Sequence, residues 1–384
     1  MHLLDSTQLI NSPAVFIGAL DFDQRPQGIS PRRLPAWTRS QLPRMMDVMA
    51  RMPSGVRLAF VTDSTRIQLT ALTTNMVTPP DSPRTVIFDL EIDGEIASVG
   101  DTAGNHILLD PSDPENFQLM RGDTFVAQFE NLGSERKFCQ LWLPHNALVE
   151  VRSLGLDEGA CLEAPPEITN RWIHYGSSIS HCLEAEQPTG TWPAVAANKV
   201  GMSLFSLGFA GQCHLDQFVA RTIRDMDADV ISIKTGINVV NMDSMRERTF
   251  VPALHGFLDT IREGKPDTPI VIASPIFCPS AEHRPGPTIA NAEGRFVTLP
   301  GHDEIQAGCL TLTRIRKLIE ELVEARRASD PHLGYINGLE LFSEADADDL
   351  PDDLHPNPEG YRRMGERFAS QVFGAGGLLA DLRG

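Results

Sequence analysis

The sequence predicts two domains of different fold class: an all-β, jelly-roll-like sandwich followed by a three-layer α/β/α domain with a parallel sheet. Three observations support this prediction. The chain has 384 residues, 41% of them hydrophobic, which is enough for more than one buried core. Its first part consists of short β-type runs, and the remainder alternates apolar strands with amphipathic helices. We expect the sandwich over 1–162, a linker over 163–170 and the α/β domain over 171–384.

The sandwich prediction comes from short runs with strand composition that are separated by Pro, Gly, Asp and Asn. Two of them, 66–72 and 124–130, alternate apolar and polar residues, as strands with one wet face do. One helix is expected, over 40–51. The strand runs are 14–20, 56–62, 66–72, 84–93, 123–131, 136–144 and 148–154.

Adjacent prolines in 163–170 favour extended backbone and predict the linker. Beyond it, strands alternate with helices of about ten to fifteen residues, which is typical of right-handed βαβ units around a parallel sheet. The stretch 278–301 is long and rich in Pro and Gly, and loops of this kind are usually functional or mobile. We expect a long helix after it, over 302–329.

Composition restricts the possible partners. The chain has 33 Lys and Arg against 51 Asp and Glu, so its net charge of −18 disfavours nucleic acid. No segment approaches the ~18 consecutive apolar residues of a membrane helix, and the N-terminus lacks the features of a signal peptide. We therefore expect a cytoplasmic protein. The six cysteines form no C-x-x-C pair, so free buried thiols are expected instead of disulfides or a zinc knuckle.

Chemically suggestive residues follow three predicted strands and recur near the C-terminus. They are Gly176–Ser180, Gly208–Gly211, Thr235–Asn238 and Asp352–Pro356. Ligands of open α/β sheets bind at the carboxyl ends of the strands. Each segment alone is explained as a helix cap, a turn or a solvated loop. Together they supply a hydroxyl, amide donors and an imidazole with a carboxylate three residues before it, the parts of an acyl-transfer site.

These segments resemble the SGNH (GDSL-like) hydrolase family over about 171–372. The family's first block, Gly-Asp-Ser-hydrophobic-Ser/Thr, is similar to Gly176–Ser180, which implies that Ser178 is the nucleophile. Its fifth block, Asp-x-x-His-Pro, is matched by Asp352–Pro356 without change. The resemblance implies a flavodoxin-like catalytic domain.

This sequence also resembles the family's second and third blocks, but it departs from the family pattern at two positions. The glycine that ends the second block corresponds to Gly211, and the amide of the third block, Gly-x-Asn, corresponds to Asn238. Ser177 stands where the family usually has Asp, and Val239 where Asp often follows the Asn. Neither position takes part in proton transfer, so these departures concern the subfamily and the substrate.

Within the family, a sandwich ahead of the catalytic domain together with Gly-Thr-Trp-Pro at 190–193 resembles a two-domain bacterial branch. That branch includes enzymes that acylate antibiotic scaffolds, among them the salicylyl acyltransferase of a tetracycline pathway. The resemblance implies an acyltransferase of the same kind.

Acyl-transfer chemistry indicates a role for each of the residues that match the family's blocks. A serine hydroxyl is a poor nucleophile at neutral pH, so His355 must accept the proton of Ser178, while Asp352 fixes the imidazole tautomer. The developing oxyanion needs donors, which we expect to be the N–H groups of Ser178 and Gly211 and the Nδ2 of Asn238.

Other kinds of site are disfavoured. The sequence does not match the Gly-x-Ser-x-Gly motif of α/β-hydrolases, because Ser180 occupies the position of its last Gly. His174, His181 and His214 lack the spacing of metal ligands, so we expect no metal and no bound cofactor. Cys213 has no basic neighbour besides His214, and we expect an inert thiol.

The substrate pocket is the least specified part of the site. Asp353 is an alternative to Asp352 as the orienting carboxylate, but because it is adjacent to Leu354 we expect it to face solvent. Residues at or near the strand ends are candidates to line the pocket, although such residues more often belong to the core, and a histidine within a strand is more often a satisfied sheet residue. These candidates are His174, Trp192, Phe209, Ile237 and Phe277.

We expect acyl transfer through an acyl-serine, with a preference for an O-acyltransferase. The donor would be a thioester such as acyl-CoA, contacted by Arg284 or Arg295, and the acceptor a hydroxyl of a small natural product. One alternative is a carboxylesterase or deacetylase that hydrolyses small-molecule or carbohydrate esters. Another is a binding protein that has lost activity. The sandwich is expected to wall the cleft, and a homo-oligomer is left open.

Overall fold

The computed structural model describes residues 1–77, 82–110 and 113–382. The chain divides into two compact units. The first comprises Met1–Ile168 and Glu186–Thr189, and the second Thr169–Ala185 and Gly190–Gly384.

Two β-sheets build the first unit, together with two short helices, α1 (Ser6–Ile10) and α2 (Arg44–Arg51). The strands are β1 (His2–Asp5), β2 (Val15–Ile17), β3 (Asp21–Gln24), β4 (Ile29–Arg32), β5 (Arg57–Thr62), β6 (Ile67–Val77), β7 (Val86–Ile92), β8 (Glu95–Asp101), β9 (Asn105–Asp110), β10 (Asp113–Met120), β11 (Phe125–Phe129), β12 (Lys137–Trp142) and β13 (Ala147–Leu156). One sheet has the order β2-β5-β12-β7-β8, and the other contains the remaining eight strands.

The core of the first unit contains side chains from both sheets, among them Phe60, Phe88 and Leu141 from one sheet and Leu69 and Val149 from the other. Along β6, burial alternates residue by residue, because one face packs on this core and the other does not. The predicted β-sandwich is confirmed. The sequence patterns missed several strands, of which β8 is largely exposed and therefore shows no apolar alternation.

The predicted helix and the predicted linker each differ from the structure at their first residues. The helix expected over 40–51 begins at Arg44, after Pro43, and a separate 3₁₀ turn covers Ala36–Gln41. Glu163, the first residue of the expected linker, exchanges two main-chain hydrogen bonds of 2.9 and 3.0 Å with Val61.

The second unit contains a five-stranded sheet, a two-stranded hairpin and nine described helices. Its strands are β14 (Arg171–Gly176), β15 (Ser203–Gly208), β16 (Val230–Lys234), β17 (Ile270–Ala273), β18 (Thr288–Ala290), β19 (Phe296–Thr298) and β20 (Leu333–Ile336). Its α-helices are α3 (Ser178–His181), α4 (Trp192–Val200), α5 (Gln217–Asp225), α6 (Ile237–Asn241), α7 (Glu247–Arg262), α8 (Leu312–Arg326), α9 (Gly338–Leu341), α10 (Pro358–Phe368) and α11 (Leu378–Leu382).

All neighbours in the five-stranded sheet are parallel, in the order β15-β14-β16-β17-β20. The chain order therefore reverses beside β14, and ligands of such sheets bind at this switch point, outside the carboxyl ends of the strands. Gly176 at the end of β14 lies opposite Gly208 of β15 and Lys234 of β16. The predicted flavodoxin-like α/β domain with a parallel sheet is confirmed.

The prediction of a helix over 302–329 is wrong for its first ten residues. Helix α8 begins at Leu312, where the Thr311 side chain accepts the N–H of Arg314 at 3.2 Å as an N-cap. Gly308, with φ of +74°, interrupts any helix before that point. The hairpin β18–β19 lies within the Pro- and Gly-rich stretch 278–301. No helix among the described residues has both the length and the apolar character needed to cross a bilayer.

Candidate active site

Ser178 is the first residue of α3 and follows the sharp turn at the end of β14. Gly176 makes this turn possible, since a Cβ there would lie 2.2 Å from the Ser180 Oγ. Ser177 has extended backbone, and its carbonyl accepts the N–H groups of Ser180 and His181 at 3.0 and 2.9 Å. The turn therefore presents the Ser178 hydroxyl at the switch point of the sheet.

The structure brings His355 and Asp352 to this hydroxyl, although Ser178 and His355 are 177 residues apart in the chain. The His355 Nε2 lies 3.0 Å from the Ser178 Oγ, and its Nδ1 lies 2.7 Å from the Asp352 Oδ2. Hydroxyl, imidazole and carboxylate are thus connected in the arrangement that Ser-His-Asp triads share.

Asp352 is held by its own loop. Its Oδ1 accepts the N–H groups of Leu354 at 2.9 Å and His355 at 2.7 Å, while Oδ2 faces the imidazole. Burial pushes the pKa of Asp352 upward, but the hydrogen bonds and positive charge of His355 and the two main-chain donors outweigh it and hold the pKa below its ordinary value. The residue is therefore a carboxylate at neutral pH.

Asn238 lies in the first turn of α6 and is almost fully buried. Its Oδ1 accepts the N–H of Cys213 at 3.0 Å, which fixes the orientation of the carboxamide and leaves the Nδ2 as the group that remains to donate. Gly211 has φ of +69°, and open space lies where its side chain would be. Both residues follow strands that flank β14, as the sequence predicts.

His174 is a fully buried sheet residue, with both ring nitrogens occupied. Its Nδ1 lies 2.6 Å from the Ser232 Oγ and its Nε2 lies 2.7 Å from the Ser180 Oγ. Burial, assisted by the charge of Lys234, lowers the pKa of His174 to about 3, so the ring is neutral. Through Ser180 it braces the helix that begins with Ser178.

The other residues expected to line a pocket lie mainly in the core. Trp192 and Phe209 are fully buried, Ile237 is 3% exposed, and Phe277 is half-buried. The ring of Trp192 packs edge-on against His174 at 4.7 Å. A cavity of about 300 Å³ lies elsewhere in the second unit and is lined by Asp243, Arg246, Pro285, Gly286, Pro287, Leu299, Pro300, Gly301, His302, Ile305 and Cys309.

Asp353, which was expected to face solvent, is only partly exposed. Its backbone has φ of +66°, and both of its carboxylate oxygens accept hydrogen bonds from Arg295, at 2.5 and 2.7 Å. The guanidinium of Arg295, which was expected to contact a coenzyme A donor, is therefore already engaged by a carboxylate of the same chain. Arg284 donates to the Thr298 carbonyl at 3.3 Å.

Sequence reasoning missed the contact between the β18–β19 hairpin and the catalytic loop. The Phe296 N–H donates to the Asp352 carbonyl at 2.8 Å, and the Phe296 ring lies edge-on to the His355 ring at 5.5 Å. On its other side, the hairpin donates from the Thr288 hydroxyl to the Asn241 Oδ1 at 2.8 Å. The hairpin thus touches both the His355 loop and the helix that contains Asn238.

Glu184 is a second residue that sequence reasoning missed. Its Oε1 lies 4.0 Å from the His355 Nδ1, and its Oε2 accepts the hydroxyl hydrogen of Tyr361 at 2.9 Å. Neither residue belongs to a motif with recognisable spacing. The one available signal was the spacing of the buried residues along α10, which contains Tyr361, and this helix was not predicted.

Several ionisable groups near the strand ends are held in their neutral forms or have lowered basicity. Burial raises the pKa of Cys213 to about 11 and that of Cys278 to about 11, so both thiols stay protonated. Burial lowers the pKa of Lys234, at the end of β16, to about 8. Among the described residues, no three His, Cys, Asp or Glu side chains form a group that could hold a metal ion.

Comparison with known families gives a match for each unit. Residues 174–363 match the GDSL-like Lipase/Acylhydrolase family, and residues 14–150 match the SsfX3 N-terminal domain. A comparison with curated proteins finds no match.

Solved structures are similar over nearly the whole chain. A salicylyl acyltransferase, SsfX3, from a tetracycline biosynthetic pathway is 27% identical with a TM-score of 0.79, covering 96% of this chain and 95% of that one. A family two carbohydrate esterase from Clostridium thermocellum is 14% identical with a TM-score of 0.58, covering 94% and 98%. An acetyl xylan esterase from Butyrivibrio proteoclasticus is 11% identical with a TM-score of 0.53, covering 96% and 98%. The first match confirms the predicted two-domain branch, and the other two show the fold alone.

Proposed function

The second unit belongs to the GDSL-like lipase/acylhydrolase family, and from that premise we propose that the enzyme transfers acyl groups through an acyl-serine at Ser178. The observation that supports this most strongly is the connected series of Ser178, His355 and Asp352, with distances of 3.0 and 2.7 Å. Each contact has the geometry that proton transfer requires.

In the first half-reaction, the Ser178 Oγ attacks the acyl carbonyl carbon while its proton passes to the His355 Nε2. The resulting imidazolium is stabilised by the Asp352 carboxylate. When the tetrahedral intermediate collapses, the bond to the leaving group breaks and the proton on Nε2 passes to that group. The acyl group is then an ester of Ser178.

The negative oxygen of the intermediate needs donors that are already in place. Asn238 Nδ2, whose partner oxygen is fixed by the Cys213 N–H, is one candidate, and the N–H groups of Gly211 and Ser178 are the others. Losing one such donor typically raises the barrier by about 2.7–4 kcal/mol.

In the second half-reaction, a hydroxyl or a water molecule attacks the acyl-serine and gives its proton to the His355 Nε2. The bond between the acyl carbon and the Ser178 Oγ then breaks, and the proton returns from Nε2 to that oxygen. We favour a hydroxyl of a small natural product as acceptor and a thioester as donor. The support is the similarity of both units to the salicylyl acyltransferase over 96% of this chain. The net charge of −18 and the engagement of Arg295 by Asp353 argue for a donor whose recognition does not depend on that arginine.

Hydrolysis is the second candidate, because the matching family includes acylhydrolases. The two functions differ only in the acceptor. A partition assay distinguishes them: an activated ester or acyl thioester is supplied with and without polyhydroxylated acceptors, and free acid and acylated product are measured. Acylated product with little free acid supports the transferase, whereas an unchanged rate of free acid with every acceptor supports the esterase.

The acyl-serine itself is tested with a fluorophosphonate probe followed by peptide mass analysis. We expect one adduct, on Ser178, in the folded protein and none in Ser178→Ala. A folded wild-type protein that gives no adduct would favour the inactive binding protein instead.

A further inference from the structure

We propose that Glu184 is a positioning residue, a second carboxylate held beside His355 that stabilises the imidazolium formed during acyl transfer. This inference rests on the proposed function of Ser178 and His355. It adds a residue that lies outside the four motif segments.

The geometry places the Glu184 charge on the side of the ring where the positive charge is already compensated by Asp352. The Glu184 Oε1 is 4.0 Å from the His355 Nδ1, too far for a hydrogen bond but close enough for a substantial charge interaction. The Asp352 Oδ2, at 2.7 Å, makes the hydrogen bond that sets the tautomer. The two carboxylates therefore have separate tasks: Asp352 orients the ring and Glu184 contributes charge.

Tyr361 fixes the Glu184 carboxylate in this position. Its hydroxyl donates to the Glu184 Oε2 at 2.9 Å, which leaves Oε1 directed toward His355. Tyr361 is fully buried on α10. Burial, with the nearby Glu184 carboxylate as the next cause, raises the pKa of Tyr361 well above its ordinary value, so the hydroxyl remains a donor throughout the working pH range.

The hairpin and Cys182 supply three further groups close to this part of the site. Arg295, on the hairpin, is paired with Asp353. Phe296, from the same hairpin, presents the ring that lies edge-on to His355. The Cys182 thiol, near Glu184, has a pKa raised well above its ordinary value by burial and is neutral. The Glu184 side chain is only 18% exposed, so solvent screens its charge less than that of a surface carboxylate.

The test measures the rate of Ser178 phosphonylation by a fluorophosphonate across pH, which requires no knowledge of the substrate. The variants are the wild type, Glu184→Gln and Glu186→Gln. Glu186 is exposed and two residues away, so its substitution is a matched change of charge. A carboxylate favours the protonated imidazole, and its removal makes His355 lose its proton at lower pH.

We therefore expect the acidic limb of the rate profile to move to lower pH by about half a unit in Glu184→Gln, with a severalfold lower plateau. Glu186→Gln should match the wild type. Tyr361→Phe, which keeps the charge but releases one carboxylate oxygen, should shift the limb in the same direction by a smaller amount. If Glu184→Gln does not fold, the shift of the acidic limb in Tyr361→Phe tests the proposal instead.

The outcomes separate this inference from the proposed function. A wild-type protein that labels at Ser178, together with an unchanged profile in the folded variants, would overturn the role of Glu184 and leave the acyl-serine intact. A loss of plateau rate without any shift of the limb would indicate a structural role only and would also overturn it. No labelling of wild-type Ser178 would overturn the proposed function itself.

Discussion

The two sides of the candidate active site are positioned by different means. Ser178 and Asn238 follow strands whose ends are aligned by main-chain pairing, with Gly176 opposite Lys234. His355 lies in a loop with no strand beside it in the sheet. Its position depends on side-chain contacts: the cap that Asp352 forms over the loop and the contact with Phe296.

This difference determines what each side tolerates. A strand end is fixed by many main-chain hydrogen bonds, so a single side-chain change there removes a chemical group and moves little else. A loop fixed by a few side chains loses position as well as chemistry when one of them is changed. Substitutions on the loop side should therefore span a wider range of effects.

The largest effect is expected from Asp352→Asn. The N–H groups of Leu354 and His355 would hold the Asn oxygen, so its NH₂ group would face the imidazole Nδ1. The ring would then keep its proton on Nε2, where it must accept one, and kcat should fall by about 10⁴-fold. Steady-state kinetics with an activated ester measure this.

Asp353→Asn is the matched control, since it removes the adjacent carboxylate but leaves the contacts of His355 with Asp352 and Ser178. We expect a loss of less than about tenfold. A reversal of the two effects would assign the orienting carboxylate to Asp353.

On the strand side, Asn238→Ala should lower kcat by about 10²–10³-fold with little change in KM, because the amide is needed only when the oxyanion has formed. Asn238→Asp should be at least as damaging: the Cys213 N–H would hold one oxygen and direct the other, negatively charged, toward the oxyanion. A variant in which KM alone rises would place Asn238 against the ground-state substrate.

The smallest effect is expected from Arg295→Gln, which removes the bidentate pair with Asp353. Arg295 is 57% exposed, and exposed ion pairs contribute little to stability because solvent screens them. Since the Phe296 main chain still holds the loop, kcat should fall by only about two- to fivefold.

Arg314→Gln removes a similar bidentate pair, which joins Arg314 on α8 to Glu247 on α7. This substitution should leave kcat unchanged. Equal losses in the two variants would show that the Arg295 pair stabilises the unit in general and not the His355 loop. Thermal unfolding measured in parallel reports that general contribution.

The strand side could be anticipated from the sequence, whereas much of the loop side could not. Apolar runs followed by Gly, Ser or Asn mark strand ends, and parallel strands bring their ends to one edge. The spacing of Asp352 and His355 is also local. Their placement beside Ser178 was expected only from the family resemblance, because no periodicity relates residues so far apart in the chain.

The contacts that support the loop left no trace in the sequence pattern. Arg295 and Phe296 lie in a stretch dominated by Pro and Gly, where hydrophobic residues show neither the helix period nor the strand period. Glu184 lies in an irregular segment after α3. Their proximity to His355 results from tertiary packing. The same reason explains why Trp192 and Phe209, expected near a pocket, are core residues.

The distance of 177 residues between Ser178 and His355 has a consequence for the synthesis of the enzyme. During translation Ser178 and its helix emerge long before His355, which follows every strand of the five-stranded sheet in the chain. A nascent chain can therefore complete the sheet before the base of the proposed mechanism is made. By that mechanism, reactivity toward esters and thioesters arises only when the last segment docks, so the order of the chain delays the chemistry until the fold is complete.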